Sequence, residues 1–531
     1  MLIEVSRRAK EPQTNALPFW HEALKRAVSQ KADGVLFPAG EYHFYPAGTF
    51  RKYCVISNND EGVKSIALYL RGLSGFTLKG ENSLLIFHGR ISPLVAEYCR
   101  DLQIEGIRID FADSFVHEAE ALDCTPEGTW FRFGGKYRIG GDRLHFFPDA
   151  LDNLDGRLRL FAFDREHGDF PSDAKIFFAP NRILRREPDR ILLSVDVSGS
   201  SQSFFTVRHQ GRYNPGMVID SCRNVRIRNC TVHHCGGMGL IAQTTENICL
   251  DGMKVVPGSD RLVASSDDAL HFSECSGRIE LRGAVLNNTL DDALNIHGIY
   301  RRLHNRGGTF VVENGQYQQF GLCPGKAGDR MEFSKRDTMQ AYAVLRVKSF
   351  SEVNRQICCV EFEEPLPPEF EDGDMIRNLK TAEAEVLVSG CEIARNHPRG
   401  ILVSGVKKAV IENNYIHSPR SGVYISGDMN FWYESGPVRE TLIRGNTFDR
   451  CCYVNSAAAN HAPITFAPEI PRLLPGFHYH GSVRIESNTF CLNHSGPPLR
   501  ALSVEKLELA NNRITGAEAA PVQLRHCGEI E

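Results

Sequence analysis

A short motif recurs through the second half of this chain at a spacing that few folds tolerate. It runs polar or small residue, then Asn, Gly or Cys, then a variable position, then a β-branched or aromatic residue. It reads NCTV at Asn229–Val232, SGCEI at Ser389–Ile393 and NNYI at Asn413–Ile416. It returns as GNTF at Gly445–Phe448, SNTF at Ser487–Phe490 and NNRI at Asn511–Ile514. A second unit interleaves with it: MGLIA at Met238–Ala242, DALHF at Asp268–Phe272, DALNI at Asp292–Ile296, RGILV at Arg399–Val403 and SGVYI at Ser421–Ile425. Several steps are one coil long: 24 residues from Ser389 to Asn413, 24 from Asp268 to Asp292 and 22 from Arg399 to Ser421. Self-similarity at such a period marks a solenoid. Two short strands per coil, closed by Asn and Gly corners that tolerate a left-handed backbone, predict a β-helix. The leucine-rich repeat shares the period, but its L-x-x-L-x-L frame is missing.

The fold class expected is therefore all-β: a right-handed parallel β-helix with an N-terminal capping helix and two small antiparallel, barrel-like insertions. A solenoid needs its open end covered. Pro18–Ser29 (PFWHEALKRAVS) reads as an amphipathic helix suited to that task, with a first strand following from Asp33. First coils are expected around Phe76–Leu78, Leu84–Phe87 and Leu102–Ile109. Two stretches lose the repeat and carry alternating runs such as Thr129–Phe133 (TWFRF) and Ala341–Phe350 (AYAVLRVKSF). The division is then 1–112 for the cap and first rungs, 113–207 for one insertion, 208–300 for the rungs carrying paired aspartates, 301–380 for the second insertion and 381–531 for the remaining rungs.

Composition narrows the function. Net charge is 61 − 65 = −4, so no basic footprint for nucleic acid is expected. No apolar run is long enough for a spanning helix, and the opening MLIEVSRRAKEPQT lacks the apolar core of a leader, so neither a membrane partner nor a signal peptide is expected in this chain. Localisation stays open between an intracellular protein and an exported one whose leader is absent from this chain. The 16 cysteines show no CxxC spacing. Those at repeat positions (Cys222, Cys230, Cys235, Cys249, Cys275 and Cys391) read as small, reduced, buried residues and not as a zinc site.

The chemistry concentrates in SSDDALHF from Ser265 and NTLDDALNIHG from Asn288. Asp267 aligns with Asp291, Asp268 with Asp292, and His271 with Asn295. Rungs of a parallel stack lie about 4.8 Å apart, so four carboxylates crowd one patch and at least one should keep a proton near neutral pH. A retained proton beside an ionised carboxylate is what general acid and general base catalysis needs. An aspartate at a β-helix corner often does no more than cap a turn, but two pairs in register go beyond that requirement. Asp291, Asp268 and Asp292 are the catalytic candidates. Substrate-binding candidates are Asp267, His271, Asn295 and His297 beside them, Arg399 as a clamp, Trp432 as a stacking platform, and Glu434 and Glu469 as hydroxyl acceptors. His233 and His234 read as structural. No metal and no cofactor is expected, and the partner is a carbohydrate.

Taken in order, SNNDEG from Ser57, GLSGFTLKGENSLLIFHG from Gly72, the paired SDDALH and LDDALNIHG, RGILV from Arg399 and WYESGPVR from Trp432 resemble glycoside hydrolase family 110. The resemblance runs from about residue 18 to about residue 515. It implies an α-1,3-galactosidase that removes terminal galactose with inversion and without a metal. It further implies that Asp291 is the general acid and that Asp268 and Asp292 activate water. Members acting on host glycans are commonly exported, and the missing leader departs from that. Three rivals remain at this stage: a polygalacturonase-like β-helix hydrolase, a calcium-dependent lyase using the aspartates as oxygen ligands, and a non-catalytic glycan-binding adhesin. The long flank of a β-helix could also support a homodimer.

Overall fold

The computed structural model describes all residues except 12, 149–155, 174, 210 and 455–460. Parallel strands stack coil upon coil into two long sheets of 22 and 13 strands around one continuous apolar core. A representative coil comprises the strands Ser276–Arg282, Val285–Thr289 and Leu294–Ile299. Each full coil therefore carries three strands, where the motif spacing predicts two. The reason lies in the first corner. A two-residue corner whose first residue has a left-handed backbone, such as Asn229 (φ 51°), Gly283 (φ 56°) or Asn413 (φ 56°), separates the first strand from the second. The chain turns there with almost no sequence between strands, so the motif marks only the second and third. Inward positions are aliphatic or aromatic along each column, as in Val386, Val388, Ile393, Ile401 and Val403 of the coil after Lys380.

The corner residue that follows is also inward-facing. In the later coils it is asparagine, and the side chains form a ladder. Asn414 Nδ2 donates to Asn446 Oδ1 (2.9 Å), Asn446 Nδ2 to Asn488 Oδ1 (2.9 Å) and Asn488 Nδ2 to Asn512 Oδ1 (3.0 Å). Each of the four amides also donates to a backbone carbonyl (Val388, Ile411, Ile443 or Ile485). In earlier coils the same position holds Cys230 and Cys391. All sixteen cysteines are free, and most are buried; Cys249 is only half-buried because it lies on the outer face of its strand.

The helix Leu17–Ser29 buries Leu17, Trp20, Ala23 and Ala27 against the first coil, with the Trp20 ring stacked on Phe37 at 5.7 Å. Two antiparallel units hang from the solenoid. Nine strands between Val116 and Arg208, seven in one sheet and two in the hairpin Tyr137–Phe146, pack around their own core of Phe131, Leu158, Leu160 and Phe205. The six strands from Arg301–Arg306 to Met375–Asn378 close into a barrel around Leu303, Phe333 and Val347. No helix among the described residues is long and apolar enough to cross a membrane.

Candidate active site

The third strand of each coil builds the floor. Leu270 pairs with Leu294 and His271 with Asn295 across the strands Leu270–Ser273 and Leu294–Ile299. That register superposes Asp268 on Asp292 and Asp267 on Asp291 in the corners just before the strands. Leu270 and Phe272 turn into the core, so His271 points outward, and the corner residues escape strict alternation. Asp268, Asp291 and Asp292 converge, with one oxygen of each within 4.8 Å of the others.

Three arginines answer the negative charge. Arg399 holds Asp292 with two parallel bonds, Nε to Oδ1 at 2.9 Å and a terminal nitrogen to Oδ2 at 2.8 Å. Arg212 bridges the two aspartates of the other column, Nε on Asp267 at 2.7 Å and a terminal nitrogen on Asp291 at 2.6 Å. Arg208 adds a second contact to Asp267 at 2.8 Å. The columns therefore differ. Asp267 is sealed under two guanidinium groups with no exposed side chain, while Asp291 keeps about a quarter of its side chain open.

Burial dominates the protonation of the remaining pair. It pushes the Asp268 carboxyl well above the usual carboxylate range, and the neighbouring Asp291 and Asp292 push it further. Burial also raises Asp292, but Arg399 opposes this and the result is about 6. A protonated and an ionised carboxyl thus share the floor at neutral pH, as crowding of the aspartates leads one to expect.

A cavity of about 220 Å³ opens above them. Asp268, Asp291, Asp292, Asn295, Arg399, Trp432, Glu434 and Glu469 all line it, which brings together eight of the eleven residues singled out in the sequence. The Trp432 loop is folded by Asp428, whose carboxylate accepts the backbone N–H groups of Asn430, Phe431, Trp432 and Tyr433. The Arg212 guanidinium lies 5.6 Å from the centre of the Trp432 ring, and the Arg399 guanidinium 5.2 Å from that of Tyr424. Glu434 accepts from Asn295 Nδ2 (3.2 Å) and Glu469 from Asn430 Nδ2 (2.7 Å).

Asp267, His271 and His297 do not line the cavity. Expected to touch substrate, they lie behind its wall, because Arg208 and Arg212 cover the first and the coil stack covers both rings. His271 Nδ1 meets Asp268 Oδ2 at 2.6 Å and its Nε2 meets His297 Nε2 at 2.9 Å. Conversely, Asn58, Arg208, Arg212, Tyr424 and Asp428 are absent from the residues that the sequence singles out. Arg208 and Arg212 sit where the first insertion rejoins the solenoid, in a segment with no repeat to align. Only the return of the chain to the Asp267 corner gives them a partner.

Fold and site together define a parallel β-helix protein with a carboxylate-floored, arginine-braced pocket on its flank. Residues 309–376, within the barrel, match the GLAA-B β-barrel domain II. Across 91% of its length the chain is 29% identical to α-1,3-galactosidase A of Bacteroides fragilis, covering 82% of that protein. It is 28% identical to α-1,3-galactosidase B of Bacteroides thetaiotaomicron, over 97% of this chain and 86% of that one. It is 29% identical to α-1,3-galactosidase B of Bacteroides fragilis, over 96% and 90%. These relatives bear out the resemblance to glycoside hydrolase family 110.

Proposed function

We propose that the chain is a glycoside hydrolase that cleaves a terminal α-1,3-linked galactose by single displacement, with inversion and without a metal. The observation that carries this reading is the convergence of Asp268, Asp291 and Asp292 at the floor of one pocket, each held on different terms. The names of the relatives supply galactose and the linkage. Asp268 retains the proton that the departing oxygen needs, and Asp291, the most open of the three, reaches toward the pocket and hands that proton on from Asp268 to the leaving group. Asp292, with both oxygens oriented by Arg399, takes a proton from water attacking the anomeric carbon from the opposite face. Trp432 offers an apolar face to the sugar, while Asn295, Glu434 and Glu469 meet its hydroxyls. The three guanidinium groups already supply positive charge to the four carboxylates, the part a dication would otherwise play.

One distance favours a second reading. Carboxylates of retaining enzymes lie about 5 Å apart and those of inverting enzymes roughly 6.5–9.5 Å, and the oxygens here approach within 4.8 Å. Proton NMR of the reaction with an α-1,3-galactosyl disaccharide separates the cases. β-Galactose appearing first, at a rate unchanged by chelator, is the expected result. α-Galactose first establishes retention. Binding without turnover replaces the hydrolase by a glycan-binding protein, and no binding at all sends the search to uronic-acid polymers.

A further inference from the structure

Behind the pocket wall three polar contacts run in a row. Asp268 Oδ2 lies 2.6 Å from His271 Nδ1, His271 Nε2 lies 2.9 Å from His297 Nε2, and His297 Nδ1 lies 2.7 Å from the carbonyl oxygen of Gly298. Every member is buried. The last contact sets the direction of the others. A carbonyl only accepts, so His297 Nδ1 carries a proton. A neutral His297 then has a bare Nε2, which His271 must meet with an Nε2–H. A neutral His271 is in turn bare at Nδ1, and the proton in the first contact must come from Asp268. Three contacts need three protons, whereas an ionised carboxylate and two neutral imidazoles bring only two. Without the third, two lone pairs would face each other at 2.9 Å in a buried site.

We propose that His271 and His297 form a buried wire that keeps one extra proton on the Asp268 side of the carboxylate cluster, so that Asp268 serves as a neutral hydrogen-bond donor and Asp292 alone as the base. This rests on the hydrolase reading for its catalytic consequence, though not for the wire itself. His271 and His297 are positioning residues, since neither lines the cavity. The charged groups around the wire are Asp267, Asp291, Asp292 and Arg212 at the Asp268 end and Glu434, 3.9 Å from His297 Nε2, at the other. The Arg301–Glu274 ion pair follows in the next segment, and Ser57 on Ser273 faces the flank without charge. Burial lowers His271 well below its ordinary value and raises the Asp268 carboxyl well above its own, which favours the carboxyl over that ring as the seat of the extra proton. Keeping Asp268 neutral spares Asp292 a negative neighbour, and so keeps the base ionised at lower pH.

Neutron diffraction from crystals of the whole protein in D2O reads the wire directly. A deuteron in each of the three contacts, the first of them bonded to Asp268 Oδ2, supports the proposal, and an empty His271–His297 contact or a deuteron on His271 Nδ1 with none on Asp268 overturns it. That outcome does not depend on any substrate. The variant His297→Gln tests the consequence. Its amide can donate to His271 Nε2, so His271 turns its N–H to an ionised Asp268 and the extra proton is lost. Both limbs of the kcat/KM pH profile on the disaccharide should then move up by about one pH unit, tenfold in rate on the acid side. A profile lowered in height with its limbs in place would show a merely structural pair and refute the proposal. If the disaccharide is not cleaved at all, the hydrolase reading fails and the neutron map still decides the wire.

Discussion

Asp268 and Asp292 occupy equivalent corners of consecutive coils, yet their surroundings set them apart. Asp292 meets a guanidinium across both oxygens, and Asp268 meets an imidazole and two like charges. Unfolded, each would titrate near 3.9. Folded, Asp292 is raised to about 6 and Asp268 is pushed well above the usual carboxylate range, so from about pH 4 to about pH 6 the folded chain binds more protons than the unfolded one. Stability therefore falls as pH rises through that window. Asp268→Asn removes that dependence at one site, because an amide stays neutral and its Nδ2 can donate to His271 Nδ1. The variant should lose at least a hundredfold in kcat while melting a few degrees above the parent at pH 7. The gain should vanish below pH 4, which calorimetry across the pH range would show. A melting point unchanged at pH 7 would mean that Asp268 is ionised in the folded protein. The paired aspartates were legible in the sequence because a 24-residue step aligns them. Their difference was not, because Arg399 reaches Asp292 across 107 residues and Arg212 reaches Asp291 across 79.

At the scale of the element, the coils are held by their corners as much as by their strands. The asparagine ladder satisfies polar groups that the turn would otherwise leave buried and unpaired. Asn446 is the central case: it accepts from the Asn414 side chain and backbone, and it donates to Asn488 and to Ile411. Asn446→Ala orphans groups on both neighbours at about 1–3 kcal/mol each. Chemical denaturation should show a loss of about 3 kcal/mol, and a loss under 1 kcal/mol would mean that water enters the corner. The ladder was half legible. Asn-Asn and Gly-Asn pairs announce corners, but only one residue of each pair has φ > 0, and only stacking turns its neighbour inward to bond along the solenoid axis.

For the whole molecule, the solenoid and its barrel are joined where the pocket is. Glu274, one residue past the strand Leu270–Ser273, grips Arg301 at the barrel's first strand with two bonds of 2.8 Å. From the barrel, Gln319 Nε2 donates to the Trp432 carbonyl at 2.7 Å, so the pocket wall leans on the insertion. Glu274→Gln removes the negative charge that compensates a buried guanidinium, whose Nε still donates to Asn314, a loss of about 3–5 kcal/mol at that junction. Hydrogen exchange should rise in Arg301–Arg306 and Met375–Asn378 and leave the coil strands protected, and KM for substrate should rise severalfold. Exchange spread evenly over the coils would instead make barrel and solenoid one cooperative unit.

The sequence by itself determined the repeat, hence the parallel coils, the capping helix and the superposition of two aspartate pairs. These follow from periodicity, and periodicity is local and additive along a solenoid. Only the tertiary structure decided which carboxylates are open and which are sealed. It also decided that His271 and His297 stand behind the wall and that Asp428 shapes the Trp432 loop. Each of these depends on a partner brought from an insertion or a distant corner. A charge's behaviour is set by what surrounds it within a few ångströms, and that is fixed by packing and not by spacing along the chain.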